Sequence, residues 1–234
     1  MKIPIKKVLI LVAILALPGF LYYLLKEKGK NRYKPLAIYG PKQVAKTFHT
    51  WHGKQIPDTI YHTISDFKLL NQDSIAVSFP ADTNKIYVVN FFFTRCPSFC
   101  RNMNNEMQRV AERYKKNDFL RFLSITVDPD YDTPSVLKKY AAQFGASSGK
   151  WDFLTGNQQQ IFGLAHDGFL VDALTHTLSA SPNYIHSPML ILVDPHKRIR
   201  GYYDSNSKEQ VDQLIDEIKV LIVEELRQIR AAEM

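Results

Sequence analysis

Cysteine is scarce in this chain: Cys96 and Cys100, in the stretch "TRCPSFC", are the only two among 234 residues. A structural zinc ion is usually held by four protein ligands. Because no further cysteine exists, a site made of four thiolates is excluded. A structural zinc ion bound by these two thiols would need ligands of another kind.

Excess charge is also lacking over most of the chain. Residues 1–34 carry eight Lys and Arg against one Glu, which accounts for the whole net charge of +7. The other 200 residues hold 22 basic and 22 acidic side chains. A nucleic-acid-binding protein carries its positive excess on the folded domain, so no nucleic-acid partner is expected. Internal repeats and low-complexity tracts are absent as well, and the composition suits one domain with a real core.

The positive excess flanks an apolar segment, Val8–Leu25, which has 18 residues and no charge. About 20 such residues span a bilayer. A cleaved signal peptide would end in small residues of the A-x-A type, which this segment lacks, and no cysteine follows that could carry a lipid. An uncleaved anchor is favoured over a signal peptide and over a buried core helix. The positive-inside rule leaves its orientation open, because both flanks are basic. We predict an anchor over residues 1–28, a tether over 29–60 and one domain over 61–234.

Within that domain, apolar runs predict strands and helical spacing predicts helices. Two largely apolar runs are typical of strands buried on both faces, and Thr133 followed by Pro134 is a helix start signal. The order indicates an α/β fold with a mixed sheet flanked by helices. The predicted strands are a hairpin in "TISDFKLLNQDSIAV", Lys85–Phe93, Leu120–Val127, Met189–Asp194 and Arg198–Asp204. The predicted helices follow Cys96 and Thr133, cover "NQQQIFGLAHDGF", and carry a C-terminal apolar stripe from Val211 to Leu226.

The thiols are expected at a strand-to-helix junction. Pro97 suits the first helical position, which would place Cys96 at or near the N-cap. There the backbone N–H groups and the helix dipole lower the pKa of a thiol. Arg95 and Arg101 add positive charge. Cys100 would lie one turn further along, on the same face.

This spacing allows either metal binding or a disulfide. Side chains at positions i and i+4 of a helix lie roughly 5–6 Å apart at Cβ, which is long for a disulfide. Soft thiolates favour Cu(I) or Zn(II), and Cu(I) accepts three ligands, including one imidazole. Among seven histidines, His186 stands out because it lies in a loop leading into a buried strand. Two inert core thiols, or a structural disulfide, are the alternatives.

Four ordered segments of the chain resemble the Sco/SenC family of membrane-tethered, thioredoxin-like copper chaperones for cytochrome c oxidase. The resemblance covers roughly residues 62–227 and implies a thioredoxin fold with an added N-terminal β-hairpin. The four segments are "ISDFKLLNQ", "VVNFFFTRCPSFC", "LSITVDPDYDTPSVLKKYAAQFG" and "IHSPMLILVDPHKRIRGYY".

The resemblance implies that Cys96, Cys100 and His186 bind copper, as Cu(I) or Cu(II), and that Asp128 lies beside the site. Asp128 could orient His186, or it could be an ordinary turn aspartate. The implied partner is a respiratory oxidase subunit with a dinuclear copper site, and the implied location is the outer side of the cytoplasmic membrane. Turnover as an enzyme is not implied. The alternative function is a thiol-disulfide oxidoreductase, with Cys96 attacking, Cys100 resolving and a thiol reductant as partner.

Overall fold

The computed structural model describes residues 5–28, 35–51, 53–80, 84–171 and 187–232. The chain forms two compact units, Met1–Pro35 and Leu36–Met234. The first unit contains helix α1, Ile5–Lys28, which covers the segment predicted as an anchor. Among the helices of the described residues, none combines the length and apolar character needed to cross a membrane.

The second unit begins with a hairpin that was not predicted. Strands β1 (Lys42–Trp51) and β2 (Lys54–Tyr61) pair antiparallel and form a two-stranded sheet of their own. They occupy most of the segment that the sequence indicated as a tether. Their pattern gave no strand signal because apolar residues point to both sides of the hairpin and none of the side chains described in it is buried.

The central sheet of this unit has seven strands in the order β4-β3-β7-β6-β5-β8-β9. Strands β5, β6 and β7 run parallel, whereas β3, β4, β8 and β9 are joined by antiparallel pairing. The mixed sheet confirms the predicted fold class. The strands are β3 (Phe67–Asn71), β4 (Ala76–Phe79), β5 (Ile86–Phe92), β6 (Leu120–Thr126), β7 (Trp151–Thr155), β8 (Met189–Val193) and β9 (Ile199–Asp204).

Strand β7 is the one strand of this sheet that the sequence did not reveal. All five of its residues are buried, but one of them is Asp152. This carboxylate accepts hydrogen bonds from Asn71 at 2.9 Å and from Arg121 at 3.0 Å. A buried charge with partners that are distant in sequence interrupts the apolar pattern by which a strand is recognised.

Helices cover both faces of the sheet, and each face has its own core. On one face lie α2 (Cys100–Arg113), α3 (Pro134–Ala142) and α5 (Lys208–Ala232), which bury one cluster of apolar side chains. On the other lies α4 (Gln158–Gly163), which continues into a π-helical turn at Leu164–Gly168. Strand β5 is fully buried between these layers, and the thiols follow it.

A buried charge network attaches the start of the second unit to the end of the sheet where β5 begins. Arg200 is 2% exposed, and it donates to Asp194 at 3.1 Å and to Glu224 at 2.8 Å. The same guanidinium donates to the backbone carbonyls of Leu36 at 2.8 Å and Ala37 at 3.1 Å. One side chain therefore fixes both a buried carboxylate and the chain segment that enters the domain.

We expect Arg200→Met to lower the free energy of unfolding by about 3 kcal/mol or more, because it leaves buried charges and carbonyls without their partner. Urea denaturation checks this. The matched control is Lys219→Met, which breaks an exposed pair with Asp216 and should leave the midpoint nearly unchanged. Equal midpoints for both variants would show that the buried network contributes little.

Candidate metal centre

Cys96 lies in a turn between strand β5 and helix α2. Its backbone N–H donates to the carbonyl of Phe93 at 3.2 Å, and this turn keeps the chain out of the helical path. Helix α2 begins only at Cys100, with Phe99 as its N-cap. The prediction that Pro97 opens the helix and that Cys96 caps it was wrong. Cys96 stands before the helix, and Cys100 is its first residue.

The two thiols interact but differ in environment. Cys100 is 2% exposed, whereas Cys96 is half-buried. The side chains share a hydrogen bond, and the Cys96 sulfur also accepts the backbone N–H groups of Ser98 and Cys100. The Ser98 hydroxyl lies 3.7 Å from the Cys96 sulfur. The pair can therefore share a metal ion or form a disulfide.

These contacts shift the two pKa values in opposite directions. Partial burial by itself raises the pKa of Cys96, but the hydrogen bonds from Cys100 and Ser98 outweigh it, so the pKa is lowered. For Cys100, burial and the hydrogen bond to Cys96 raise the pKa strongly. The pKa of Cys96 is thus lowered by hydrogen bonds from Cys100 and Ser98, which include the backbone N–H groups expected from the sequence.

A buried carboxylate, Asp132, holds the thiol turn against the sheet. It is fully buried and accepts the backbone N–H of Thr94 at 3.0 Å and the hydroxyl of Thr126 at 2.5 Å. The Thr94 hydroxyl also donates to it. Thr94 precedes Cys96 by two residues, and Thr126 is the last residue of β6. Asp132 therefore fixes the turn to the end of the sheet at which β6 finishes. This residue was not predicted from the sequence, because its partners become neighbours only in the fold.

Asp128 lies beside the site, but the partner it has there is Arg95. Its carboxylate accepts from the Arg95 guanidinium at 2.7 Å, which raises the pKa of Arg95. The guanidinium carbon also lies 4.0 Å from the ring centre of Tyr131. Asp128 therefore balances the positive charge next to Cys96. Its predicted role in orienting His186 stays a prediction, because His186 lies outside the described residues.

A buried polar chain lies beneath the thiols. Asn90, in β5, donates to Asn104 at 2.9 Å, and Asn104 donates to the Tyr140 hydroxyl at 3.2 Å. Burial raises the pKa of Tyr140 to about 12, and charge on the two cysteines adds to this rise, so the phenol stays neutral. The signal that could have revealed the chain is Asn90, a lone polar residue in the apolar run "IYVVNFF".

The described residues also show where the chain next to His186 runs. The Pro188 carbonyl accepts the N–H of Ser205 at 2.9 Å, and the Ser205 carbonyl accepts from Asn102 at 3.2 Å. Asn102 follows Cys100 by two residues, so Ser187 and Pro188 lie at the same end of the sheet as the thiols. Within the described part of the chain, no three His, Cys, Asp or Glu side chains form a metal-binding group.

The sheet order and the dithiol after the buried parallel strand β5 define a thioredoxin-like protein. The SCO1/SenC family model matches residues 57–223. A SCO1 protein homolog from Bacillus subtilis is 31% identical over 169 residues, covering 71% of this chain and 86% of the relative. A putative copper-binding protein from Stutzerimonas stutzeri is 28% identical over 141 residues, covering 59% of this chain and 68% of the relative.

One solved structure is BsSco, described as a member of the Sco family of cytochrome c oxidase assembly proteins with a disulfide switch. It is 28% identical, covers 68% of this chain and 93% of its own, and has a TM-score of 0.58. The family match spans more than half of the sequence. The chain belongs to the SCO1/SenC family.

We expect Cys100→Ala to raise the pKa of Cys96 towards that of an ordinary thiol, because the largest contribution that lowers it is the hydrogen bond from Cys100. The pH dependence of alkylation of Cys96 by iodoacetamide measures this. Ser98→Ala removes a smaller contribution and should give a smaller rise. A Cys96 pKa that is the same in the native chain and in Cys100→Ala would contradict the hydrogen-bond assignment.

Proposed function

We propose that this protein is a copper chaperone that carries one copper ion on Cys96, Cys100 and His186 and delivers it to a respiratory oxidase. The observation that carries the proposal is the pair of interacting thiols that follows β5, with one thiol buried and one half-buried. A half-buried thiolate can capture or release the ion, while a buried one retains it.

The donor set fits copper better than the other common metals. Thiolate sulfur is a soft ligand that favours Cu(I), and two thiolates with one imidazole satisfy it. Zinc in structural sites takes four ligands, and the chain has no third cysteine. The name of the Stutzerimonas stutzeri relative, a putative copper-binding protein, supports this assignment.

The recipient and the location are further parts of the proposal. The membership of BsSco in a family of cytochrome c oxidase assembly proteins supports an oxidase under assembly as the recipient. We propose that a subunit with a dinuclear copper site accepts the ion outside the cytoplasmic membrane. Tethering by the N-terminal segment rests on sequence alone: 18 uncharged residues between basic flanks.

A second function, thiol-disulfide exchange, is favoured by the opposite pKa shifts of the two cysteines. The Cys96 thiolate would attack a disulfide in the recipient and form a mixed disulfide, releasing one recipient thiol. Cys100, after losing its proton, would then attack Cys96. This step leaves a Cys96–Cys100 disulfide and a second recipient thiol, and a reductant must restore the dithiol. Such a step would prepare the recipient's cysteines for copper.

Competition titration with Cu(I) against a chelator tests the chaperone proposal on the reduced full chain in detergent. We expect one tight equivalent, which weakens more than about tenfold in His186→Ala because a ligand is lost. Cys96→Ser should lose tight binding altogether.

The matched control is His166→Ala, which removes an exposed histidine and should bind copper like the native chain. If His186→Ala also binds like the native chain, the three-ligand site is wrong. If the native chain binds no copper tightly but cycles readily between dithiol and disulfide, the second function is the better account.

A further inference from the structure

The hairpin β1–β2 exposes large apolar side chains on both of its faces. In the pairing register, Val44 and Phe48 share one face, and Ile56 and Ile60 lie on the other. They are exposed by 77%, 59%, 38% and 54% respectively. An isolated two-stranded hairpin in water is at best marginally stable, so these side chains need a further environment that covers them.

The surface is also basic. The hairpin contains three lysines, Lys42, Lys46 and Lys54, against a single acidic residue, Asp58. That carboxylate is paired with His49 at 2.7 Å. Since residues 35–234 are neutral as a whole, the positive excess is local to this hairpin. The covering environment is therefore expected to be anionic.

A lipid surface satisfies both observations better than a folded partner. A rigid partner docking on one face would leave the apolar side chains of the other face in water. A fluid headgroup region surrounds an inserted hairpin and covers both faces. Water and headgroups there can still bind the open strand edges, which could not be satisfied within the hydrocarbon core.

The position of the hairpin along the chain agrees with this environment. Only 13 residues separate the end of α1, Lys28, from the start of β1, Lys42. A chain anchored through its N-terminal segment would thus keep the hairpin close to the bilayer. The family model begins only at residue 57, so most of the hairpin precedes the residues that the model matches.

The base of the hairpin lies at the end of the central sheet opposite the thiols. Pro41 accepts the N–H of His62 at 3.1 Å, and Ile64 donates to Lys197 at 2.9 Å. Lys197 belongs to the turn between β8 and β9, which adjoins the start of β5 because Val193 pairs with Tyr87. Cys96 follows the other end of β5, roughly 23 Å away for seven residues.

We propose that the hairpin β1–β2 binds the headgroup region of an anionic membrane and thereby orients the domain with its thiols facing away from the bilayer. The proposal rests on the membrane tethering proposed above, but it is independent of copper. Cys96 would then point into the aqueous phase, towards the exposed metal site of a recipient.

Quenching of tryptophan fluorescence by brominated lipids tests this on the full chain. Trp51, the last residue of β1, and Trp151 are the only tryptophans, and Trp151 is 2% exposed in the core, beyond the reach of lipid. The chain is reconstituted in phosphatidylcholine vesicles with and without phosphatidylglycerol, using lipids brominated near the headgroup end of the acyl chain. We expect quenching that increases with phosphatidylglycerol and is absent in Trp51→Phe.

Two sets of variants test the charge of the hairpin and its apolar side chains separately. Substituting glutamine for the three hairpin lysines should lower the ratio of bound to free hairpin about fivefold per lysine. The matched control substitutes glutamine for three exposed lysines elsewhere, Lys68, Lys116 and Lys139, and should change nothing. Phe48→Thr with Ile60→Thr keeps strand-forming residues and should also reduce quenching.

The outcomes distinguish a failure of the hairpin proposal from a failure of the proposed membrane tether. A chain that sediments with the vesicles but shows the same quenching as Trp51→Phe would overturn the hairpin proposal and leave the tether intact. A chain that stays in the supernatant would overturn both. If Trp51 becomes shielded from solvent as the protein concentration rises, without lipid, the face would be assigned to contact with a second copy of the chain. This outcome would also overturn the proposal. Copper binding would be unaffected in all three cases.

Discussion

The carboxylate of Asp132 is the contact on which the geometry of the thiol pair depends. It is fully buried, and its oxygens are satisfied by the N–H and hydroxyl of Thr94 and by the hydroxyl of Thr126. Such a carboxylate is costly to bury unless its acceptors are filled. It therefore imposes one conformation on the residues that lead into Cys96. With that turn fixed, Cys96 can meet the first N–H of α2 and the thiol of Cys100.

The same fixed turn places the two thiols in different environments. Cys96 gathers hydrogen bonds at a half-buried position, whereas Cys100 is enclosed by the core. The proposed copper binding and the proposed disulfide exchange would both use this asymmetry. At the opposite end of the sheet, Arg200 holds the segment that enters the domain, and the base of the hairpin β1–β2 lies at the same end. Under the proposals made above, the two ends would separate membrane binding from copper chemistry.

Much of this arrangement could be predicted from the sequence because burial and periodicity agree there. The apolar run of β5, the Thr133–Pro134 start of α3 and the stripe of α5 all follow local rules, and the structure confirms them. The ordered segments around the cysteines also led to the correct family. Features that depend on contacts between distant residues could not be predicted in this way. Strand β7 was missed because the charged residue Asp152 interrupts its apolar pattern. The partners that allow Asp152 to be buried, Asn71 and Arg121, lie far away in sequence.

The N-cap placement of Cys96 failed for a related reason. Pro97 is compatible with a helix start, but the hydrogen bond from Cys96 to Phe93 and the fixed position of Thr94 delay the helix to Cys100. Local propensity correctly predicted a strand-to-helix junction at the cysteines. It placed the first helical residue at Pro97, whereas the helix begins at Cys100. The hairpin β1–β2 was missed because it buries no described side chain within the domain, so no alternation of polar and apolar residues marks it.

The central claim is that two thiolates and one imidazole hold the copper ion. X-ray absorption of the reduced chain loaded with one equivalent of Cu(I) tests it most directly. The account predicts two sulfur neighbours and one nitrogen neighbour around copper, and in His186→Ala the loss of the nitrogen with both sulfurs kept. A copper ion bound through nitrogen and oxygen alone, with no sulfur neighbour, would contradict the account.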